Sequence, residues 1–457
     1  MTAYKDFHAY PIELFPGRTI HVACFNGLTP ETARRLIMRF FPRHRHRKPS
    51  SSGKKRKVGQ ADDVLATPFG DGSATKPAEI STCIARPTAG LAPLQAALVD
   101  GESSRPGSWL FGRNVRTSPI QQLPWGISHV QQYLPLLPLA IEQIDLGDAE
   151  LVISSSHLVA KGVLTAPDQL HLSYVHTPVR YAWDQMHAYL SRSALAQRGF
   201  GPLIRWQLHT LRQWDQLSAQ RVDHLLANSR FTARRIQKFW GRQAQVLHPP
   251  VAVDRFRWQR ARDDSYLCLC RLVPYKRVDL VVEAFNRLGL PLLVVGDGPE
   301  RQRLEALAGP TVTLLGRQSQ EQVEALMSSC RAFVYAGLED FGIAPVEAMA
   351  AGAPVIGLGR GGLLDTVRCA TGGLEQATGV LFPDQSVGSL VEAVSWFEQN
   401  RIWRQLDAGV IRQWAERFRP EAFKARFDLL LRQAWTAHQS RCAVAASDPA
   451  EMPALQL

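Results

Sequence analysis

Arg271 and Lys276 are the first residues whose types and spacing suggest chemistry. They lie on one loop, 271-RLVPYK-276, which follows an apolar run and is stiffened by Pro274. Such a pair can bind two phosphate groups, because the arginine guanidinium binds as a fork and the lysine ammonium as a point charge. A second loop, 360-RGG-362, has glycine backbone N–H groups that can face an anion. The two loops together predict a site for a phosphorylated ligand.

Two glutamates lie between these loops, in the stretch 337-GLEDFGIAPVEAMAAGAPVIGLGRGG-362. Glu339 and Glu347 are eight positions apart, and a general acid/base pair is the obvious first interpretation. Each also has a purely structural explanation. Glu347 falls in the first turn of a helix predicted to begin at Pro345, where an acid complements the helix dipole, and Glu339 can be an ordinary loop acid. We favour a site, because all these residues follow successive strands at one edge of one sheet.

The elements that position these residues are well marked from residue 265 onward. Predicted helices lie between short apolar runs, and Ser319 with Gln322 forms a capping box at the start of one of them. The apolar runs predict strands at 265–270, 291–296, 311–316, 332–336 and 353–359. This alternation indicates a parallel sheet covered by helices. Ligands of such sheets bind at the loops that follow the carboxyl ends of the strands.

The middle of the chain predicts a second, looser α/β unit. Its buried strands are predicted at 149–156, 170–176 and 223–229, and a long helix at 201–222. The proline-stiffened stretch 248-HPPVAVDRF-256 marks a domain boundary.

Composition limits the class of protein. With 457 residues, of which 45% are hydrophobic and 21% charged, the chain can form two or three globular domains. The seven cysteines are scattered, without CxxC pairs or zinc-ligand spacing, and fit a reducing compartment. No apolar run is long enough to span a bilayer and no signal pattern is found, so we expect a cytoplasmic protein. The net charge of +12 suits nucleic acid, anionic lipid or a phosphorylated ligand.

Several stretches resemble one family. The Arg271–Lys276 loop, VVGDGPE, the spacing of the two glutamates in EDFGIAPVEAMAAGAPVI, and GRGG resemble the retaining glycosyltransferases of family 4. In the first half, 150-ELVISSSHLVAKGVL-164, 174-YVHTPVRYAWD-184 and 227-ANSRFTARRI-236 resemble its mannosyltransferase-like subgroup, which acts on surface polysaccharides. The resemblance covers roughly residues 105 to 435. It implies an α/β protein of the GT-B fold, with two Rossmann-like domains facing across a cleft.

The resemblance divides the chain into four parts. We expect an atypical, largely low-complexity or disordered segment at 1–104, an acceptor-side domain at 105–250 with the C-terminal helix 421–437 packed back on it, a nucleotide-sugar domain at 257–420, and a disordered tail at 438–457. Family members begin with a strand, a glycine-rich loop and a helix, but only Gly27 follows the strand-like start near residue 20. We therefore expect an incomplete N-terminal domain, and we favour a disturbed reading frame between roughly residues 20 and 100.

The resemblance also implies a role for each site residue. His176 and Glu339 would be catalytic: His176 ends a strand of the first domain and would point across the cleft at the donor sugar, which Glu339 would contact. Arg271 and Lys276 would bind the donor diphosphate, and Glu347 the ribose hydroxyl groups. The full set of donor-binding residues is Arg271, Lys276, Phe341, Gly342, Glu347, Gly361 and Gly362.

The implied reaction moves a hexose from a nucleoside diphosphate to a glycan or lipid-linked acceptor. Fixed cations and helix N-termini would stabilise the charge left on the diphosphate. In the proteins that this chain resembles, that phosphate takes the acceptor proton while attack comes from the same face, so the anomer is retained. The chain contains no D-x-D motif. We therefore expect neither a metal nor another cofactor.

Partners are predicted from the subgroup and from the distribution of charge. The subgroup implies GDP-mannose as the donor. The basic region 192–242 suggests peripheral contact with the inner face of the membrane, although a solvated helix face explains the basic charge equally well. The basic run 43–58 lacks interleaved aromatic residues, so no nucleic-acid partner is expected. Two alternatives remain: an inactive homologue that binds nucleotide-sugar, and a sugar 2-epimerase-like GT-B enzyme, against which the glutamate spacing and the Arg271/Lys276 pair argue. With its atypical N-terminus, the chain is expected to bind nucleotide-sugar but to transfer slowly or not at all.

Overall fold

The computed structural model describes residues 20–24, 80–82, 114–115, 118–124, 130–192 and 196–447. These residues form two α/β domains, each built on a parallel sheet. The basic run 43–58 and most of the segment 1–104 lie outside the described residues. Within the described part, no helix is both long and apolar enough to cross a membrane.

The first domain contains a seven-stranded sheet in the order β3-β2-β1-β4-β5-β6-β7. Every residue of its central strands β4 and β5 is buried, including the three serines that end β4 and His171 and Ser173 of β5. Strands β1 and β2 come from the segment 1–104, so part of that segment belongs to the sheet. The strands are β1 Ile20–Cys24, β2 Ile80–Thr82, β3 Asn114–Val115, β4 Leu151–Ser156, β5 Leu170–Val175, β6 His224–Ala227 and β7 Gln245–Val246.

The helices of this domain are held by caps and by one buried polar network. Ser229 caps α4, accepting a hydrogen bond from the Thr232 backbone N–H at 3.0 Å. Lys161 and Asp215, both fully buried, form an ion pair at 2.7 Å. The Trp183 indole also donates to Asp215, which ties the loop after β5 to α3. The helices are α1 Leu137–Glu142, α2 Met186–Arg192, α3 Gly201–Gln220 and α4 Arg230–Trp240.

The second domain contains a six-stranded sheet in the order β10-β9-β8-β11-β12-β13. The chain runs outward from β8 through β9 to β10, then crosses to the other side of β8. The crevice between β8 and β11 is therefore the point where ligands bind in sheets of this kind. The strands are β8 Tyr266–Leu269, β9 Leu292–Val295, β10 Val312–Gly316, β11 Ala332–Tyr335, β12 Val355–Leu358 and β13 Gly379–Phe382.

The helices of the second domain cover both faces of this sheet. They are α5 Val278–Leu288, α6 Arg301–Leu307, α7 Gln320–Ser329, α8 Ile343–Ala350, α9 Leu363–Thr366, α10 Val387–Gln399, α11 Ile402–Gln405 and α12 Ala408–Ala415. The capping box predicted at the start of α7 is present, with Ser319 and Gln322 bonded to each other's backbone N–H groups.

Helix α8 begins two residues earlier than the sequence predicts. Gly342 caps it in the left-handed conformation, with a φ of 93°, so Pro345 is the third helical residue rather than the first. Glu347 is therefore the fifth residue of α8, and the expectation that it lies in the first turn is wrong. The cause is Gly342, which reaches this positive φ without a steric penalty and so allows an earlier start.

The last helix, α13, spans Pro420–Ser447. Phe423, Phe427 and Leu431 are buried against strands β4 and β5 of the first domain. The helix runs ten residues past 437, into the segment 438–457 for which the sequence predicts disorder. Between 421 and 447 the sequence contains neither glycine nor proline, and alanines dominate its end, so nothing stops the helix earlier.

Candidate active site

The loops after β8 and β11 meet at the switch point of the second sheet. There the Lys276 ammonium donates to Oε1 of Glu339, and the two side chains form an ion pair. The Tyr335 hydroxyl donates to the same oxygen. Two residues singled out from the sequence are thus in direct contact, although 63 positions separate them along the chain.

Lys276 remains a cation in this setting. Burial alone would lower its pKa, but the charge of Glu339, together with Tyr275 and the hydrogen bond to Glu339, outweighs burial and raises the pKa. The ammonium also lies 5.3 Å from the Tyr275 ring centroid and 5.6 Å from that of Tyr335, in cation–π contact. Burial and the nearby Glu339 charge raise the pKa of Tyr335, so its hydroxyl stays protonated and remains a donor.

Arg271 lies on the same loop as Lys276 but is exposed. No ion pair joins its guanidinium to an acidic side chain of the described residues. It is therefore a cation available to an anionic ligand, while Lys276 is already paired. The described residues also contain no group of three or more His, Cys, Asp or Glu side chains placed to hold a metal ion.

The glycine pair lies against the backbone of the Glu339 loop. The Gly362 N–H donates to the Glu339 carbonyl oxygen at 2.8 Å. A Cβ atom added at Gly361 would lie 2.4 Å from that oxygen, and one at Gly362 would lie 2.4 Å from the Phe341 Cα. The glycines are thus required by the close approach of two loops. The prediction that both N–H groups face a ligand is wrong for Gly362, whose N–H is already bonded.

Phe341 and Gly342 can contribute only backbone to a ligand. The Phe341 side chain is buried, with its ring 5.6 Å from the His248 ring and 5.5 Å from that of Phe418. Gly342 has no side chain and lies at the N-terminus of α8. A helix N-terminus presents unpaired N–H groups and a positive dipole end, which favour an anion.

Glu347 belongs to a separate cluster with two residues that the sequence did not single out. Its Oε1 lies 3.8 Å from an Arg255 guanidinium nitrogen, and Arg255 donates to Glu324 at 3.1 Å. Burial raises the pKa of Glu347, against the opposing effect of Arg255. Arg255 comes from the proline-stiffened link between the domains, where no sequence pattern assigns it a partner.

His176 follows β5 and is held within the first domain. Its Nε2 lies 2.7 Å from the Ser155 hydroxyl oxygen, and its backbone carbonyl accepts from the Asn228 side chain at 2.8 Å. The Tyr174 ring packs edge-on against it at 5.1 Å. The ring is therefore fixed at the carboxyl edge of the first sheet, the edge that faces a ligand in folds of this class.

Two sets of polar contacts join the domains beside the site. Arg180 and Arg235 of the first domain bind Asp340 of the second, at 3.5 and 2.8 Å. Asp365 accepts from both Arg230 and His248. Burial alone would raise the pKa of Asp365, but these hydrogen bonds lower it, so it stays ionised.

Sequence reasoning assigned none of these cross-domain residues a role. Arg180 lies in YVHTPVRYAWD, Arg235 in ANSRFTARRI and Asp340 in EDFG, so all three belong to stretches already quoted for the resemblance. A charged residue in a loop carries no periodicity, and no local pattern shows which distant carboxylate an arginine contacts.

Residues 253–417 match the family model described as Glycosyl transferases group 1. A GDP-mannose-dependent alpha-(1-6)-phosphatidylinositol monomannoside mannosyltransferase of Mycobacterium tuberculosis is 30% identical over 199 residues, which cover 36% of this chain and 50% of that relative. The GDP-mannose-dependent alpha-mannosyltransferase of Mycolicibacterium smegmatis is 33% identical over 172 residues, with 35% and 46% covered. The chain thus spans about half the length of the curated relatives it matches.

Two solved structures share the fold over nearly the whole chain. Sucrose-phosphate synthase from Thermosynechococcus elongatus has a TM-score of 0.55 at 18% identity, covering 92% of this chain and 100% of that one. HepE of Anabaena, in complex with UDP, has a TM-score of 0.53 at 14% identity, covering 91% and 100%. The fold is GT-B, which confirms the fold class predicted from the sequence.

The contact between the glycine pair and the Glu339 loop can be tested by adding a methyl group. Gly362→Ala is expected to lower the free energy of unfolding by about 1–3 kcal/mol, because the loops must separate to admit the Cβ atom. Gly388→Ala is the control. Nothing lies within 4 Å of that Cβ in α10, so stability should rise by about 0.4–1 kcal/mol. Chemical denaturation measures both, and a Gly362→Ala protein as stable as wild type would contradict the close approach.

Proposed function

We propose that the protein is a retaining glycosyltransferase that moves a hexose, mannose by preference, from a nucleoside-diphosphate sugar to a glycan or lipid-linked acceptor. The observation that carries this proposal is the Lys276–Glu339 pair at the switch point of a GT-B donor domain. It lies within the stretch that matches the group 1 family model. The GDP-mannose-dependent relatives support the choice of donor.

Charge stabilisation on the leaving diphosphate is the main chemical task of this site. Arg271 and Lys276 supply two cations from the loop after β8. The N-terminus of α8, which follows the loop after β11, supplies the positive end of a helix dipole. Fixed donors of this kind act most strongly where negative charge develops during bond cleavage. In this proposal the leaving phosphate takes the acceptor proton, and no metal is required.

Glu339 is proposed to hold the donor sugar through one of its two carboxylate oxygens. The bonds from Lys276 and Tyr335 both go to Oε1. Oε2 is therefore the oxygen that can accept from a sugar hydroxyl group. Glu347, on α8, is proposed to accept from the ribose hydroxyl groups, and its elevated pKa is expected to fall when they bind, because hydrogen bonds to the ionised carboxylate favour that form.

The acceptor side of the proposal rests on the first domain. His176, fixed by Ser155 at the carboxyl edge of the sheet, is proposed to face the donor sugar across the cleft. The stretch after β1 lacks the glycine-rich loop of the family. We therefore expect the chain to bind nucleotide-sugar but to transfer the sugar slowly or not at all.

Peripheral contact with an anionic membrane is a second part of the proposal. The helices α2 and α3 and the stretch 196–200 before α3 expose apolar side chains: Tyr189 at 45%, Phe200 at 54%, Leu203 at 50% and Trp206 at 64%. Between 185 and 214 the sequence has four arginines and no acidic residue. Exposed aromatic residues beside arginines are typical of a surface that binds the headgroup region of an anionic bilayer.

The donor site can be tested by ligand-induced thermal stabilisation. A nucleotide-sugar is expected to stabilise wild-type protein, by about 2.7 kcal/mol when its concentration is a hundred times its dissociation constant. At equal concentrations, GDP-mannose should stabilise the protein more than UDP- and ADP-sugars do. Glu347→Ala should lose most of this shift, because the ribose loses its acceptor. Glu375→Ala, which removes an exposed acid elsewhere in the same domain, should keep it. No stabilisation by any nucleotide-sugar would contradict the proposed donor site.

The membrane surface can be tested by flotation with vesicles. Wild-type protein should float with vesicles rich in phosphatidylglycerol and remain in solution with pure phosphatidylcholine. Leu203→Ser with Trp206→Ser should abolish flotation, since both side chains are exposed and apolar. Leu429→Ser, which removes another exposed leucine, on α13, is the control and should float normally. Equal flotation of all variants would rule out this surface.

A further inference from the structure

We propose that Arg180 and Arg235 are positioning residues, which hold the loop around Glu339 from across the cleft. The geometry points to a donor loop that is fully fixed only when the first domain lies against it. This inference rests on the proposed function, because it assigns the acceptor-side domain a part in orienting the donor sugar.

The two arginines hold the chain on both sides of Glu339. Before it, an Arg180 N–H donates to the Leu338 carbonyl at 3.2 Å. After it, Asp340 binds Arg235 at 2.8 Å through one carboxylate oxygen and Arg180 at 3.5 Å through the other. A residue held at both neighbours loses most of its freedom to shift. The backbone at Glu339 is therefore held by contacts of its neighbours, in addition to the bonds that the Glu339 side chain makes with Lys276 and Tyr335.

Arg235 is rigidly mounted in the first domain. Its guanidinium also donates to Asp184 at 2.7 Å and to the Thr177 hydroxyl at 2.6 Å. It lies 5.6 Å from each of the Phe231 and Phe239 rings, and its side chain is 6% exposed. A side chain fixed by this many contacts presents a fixed donor to the other domain.

Arg180 also contacts the phosphate-binding loop. The contacts of Arg180 and Arg235 with Leu338 and Asp340 are called the grip below. Its guanidinium lies 5.7 Å from the Tyr275 ring centroid, in cation–π contact, and Tyr275 precedes Lys276. The loop that carries Arg180 is tied to the interior through Trp183, which donates to Asp215 at 2.7 Å. The buried Lys161–Asp215 pair therefore stabilises this loop from inside while Arg180 contacts the donor domain outside.

The charges balance across the junction. Two arginines face two carboxylates, Asp184 from their own domain and Asp340 from the other. The side chains of Arg180 and Asp340 are 14% and 15% exposed, so the pair is better shielded from water than a surface ion pair. Loss of the Asp340 charge leaves Arg180 without the carboxylate that draws the domains together.

We expect nucleoside diphosphate binding to depend less on Arg180 and Arg235 than sugar–phosphate cleavage does, although Arg180 contacts Tyr275 next to Lys276. Lys276 and Gly362 are bonded to Glu339 within the donor domain, and Glu347 lies near Arg255 of the link between the domains. A defect in the grip should therefore spare affinity for the diphosphate and lower the rate of sugar–phosphate cleavage. If Arg180 and Arg235 had a purely structural role, their loss would change the diphosphate affinity and the cleavage rate together, or change neither.

The test compares Asp340→Asn and Arg180→Ala with Arg234→Ala, which removes an exposed arginine next to Arg235 on the same helix. Release of nucleoside diphosphate from the nucleotide-sugar gives kcat and KM, and calorimetry with the nucleoside diphosphate alone gives its affinity. In both grip variants we expect kcat to fall about ten- to a hundredfold, the loss that a small misplacement of reacting groups causes. Diphosphate affinity should stay within about twofold, and Arg234→Ala should match wild type.

Hydrogen exchange at the Gly362 amide, which donates to the Glu339 carbonyl oxygen, provides a readout that needs no turnover. The Asp340→Asn and Arg180→Ala variants should exchange faster than wild type at this amide and equally elsewhere in the donor domain. Unchanged exchange, unchanged kcat, or a loss of diphosphate affinity as large as the loss of kcat would overturn the inference. If wild type binds no nucleotide-sugar but the variants still exchange faster at the Gly362 amide, the proposed function fails while the positioning of the Glu339 loop by Arg180 and Arg235 stands.

Discussion

The ion pair between Lys276 and Glu339 is the interaction on which the site depends. Its partners come from loops on either side of the switch point between β8 and β11, so the pair can form only when the second sheet has its observed strand order. Tyr335 completes the contact from the end of β11. The pair keeps two opposite charges together in a partly buried crevice, where either charge alone would be costly. A ligand that brings both a diphosphate and hydroxyl groups can satisfy both partners at once.

The loop that carries Glu339 is also where the two domains contact each other. The Glu339 loop is backed by the glycine pair on one side and gripped by Arg180 and Arg235 on the other. Asp365, bonded to Arg230 and His248, forms a second junction nearby. Helix α13 begins in the second domain and buries its aromatic side chains against the first sheet. Contacts that orient one loop are therefore also contacts that hold the domains together.

Sequence periodicity predicted the sheets, because buried parallel strands are apolar runs and their loops carry the polar residues. It therefore also predicted that Lys276, Glu339 and the glycine pair lie at one sheet edge. It failed where a local detail decides the outcome. Gly342 allows α8 to begin two residues earlier than predicted. The N–H of Gly362 is bonded to the Glu339 carbonyl oxygen and is therefore not available to a ligand, contrary to the prediction. The arginines that cross between domains were missed because their partners lie more than a hundred residues away.

The most direct measurement is a crystal structure of the protein with an intact nucleotide-sugar. The account predicts diphosphate oxygens within hydrogen-bond distance of Lys276 and Arg271, ribose hydroxyl groups at Glu347, and the sugar at Oε2 of Glu339. A diphosphate bound away from the crevice between β8 and β11, or a sugar that does not contact Glu339, would contradict the account.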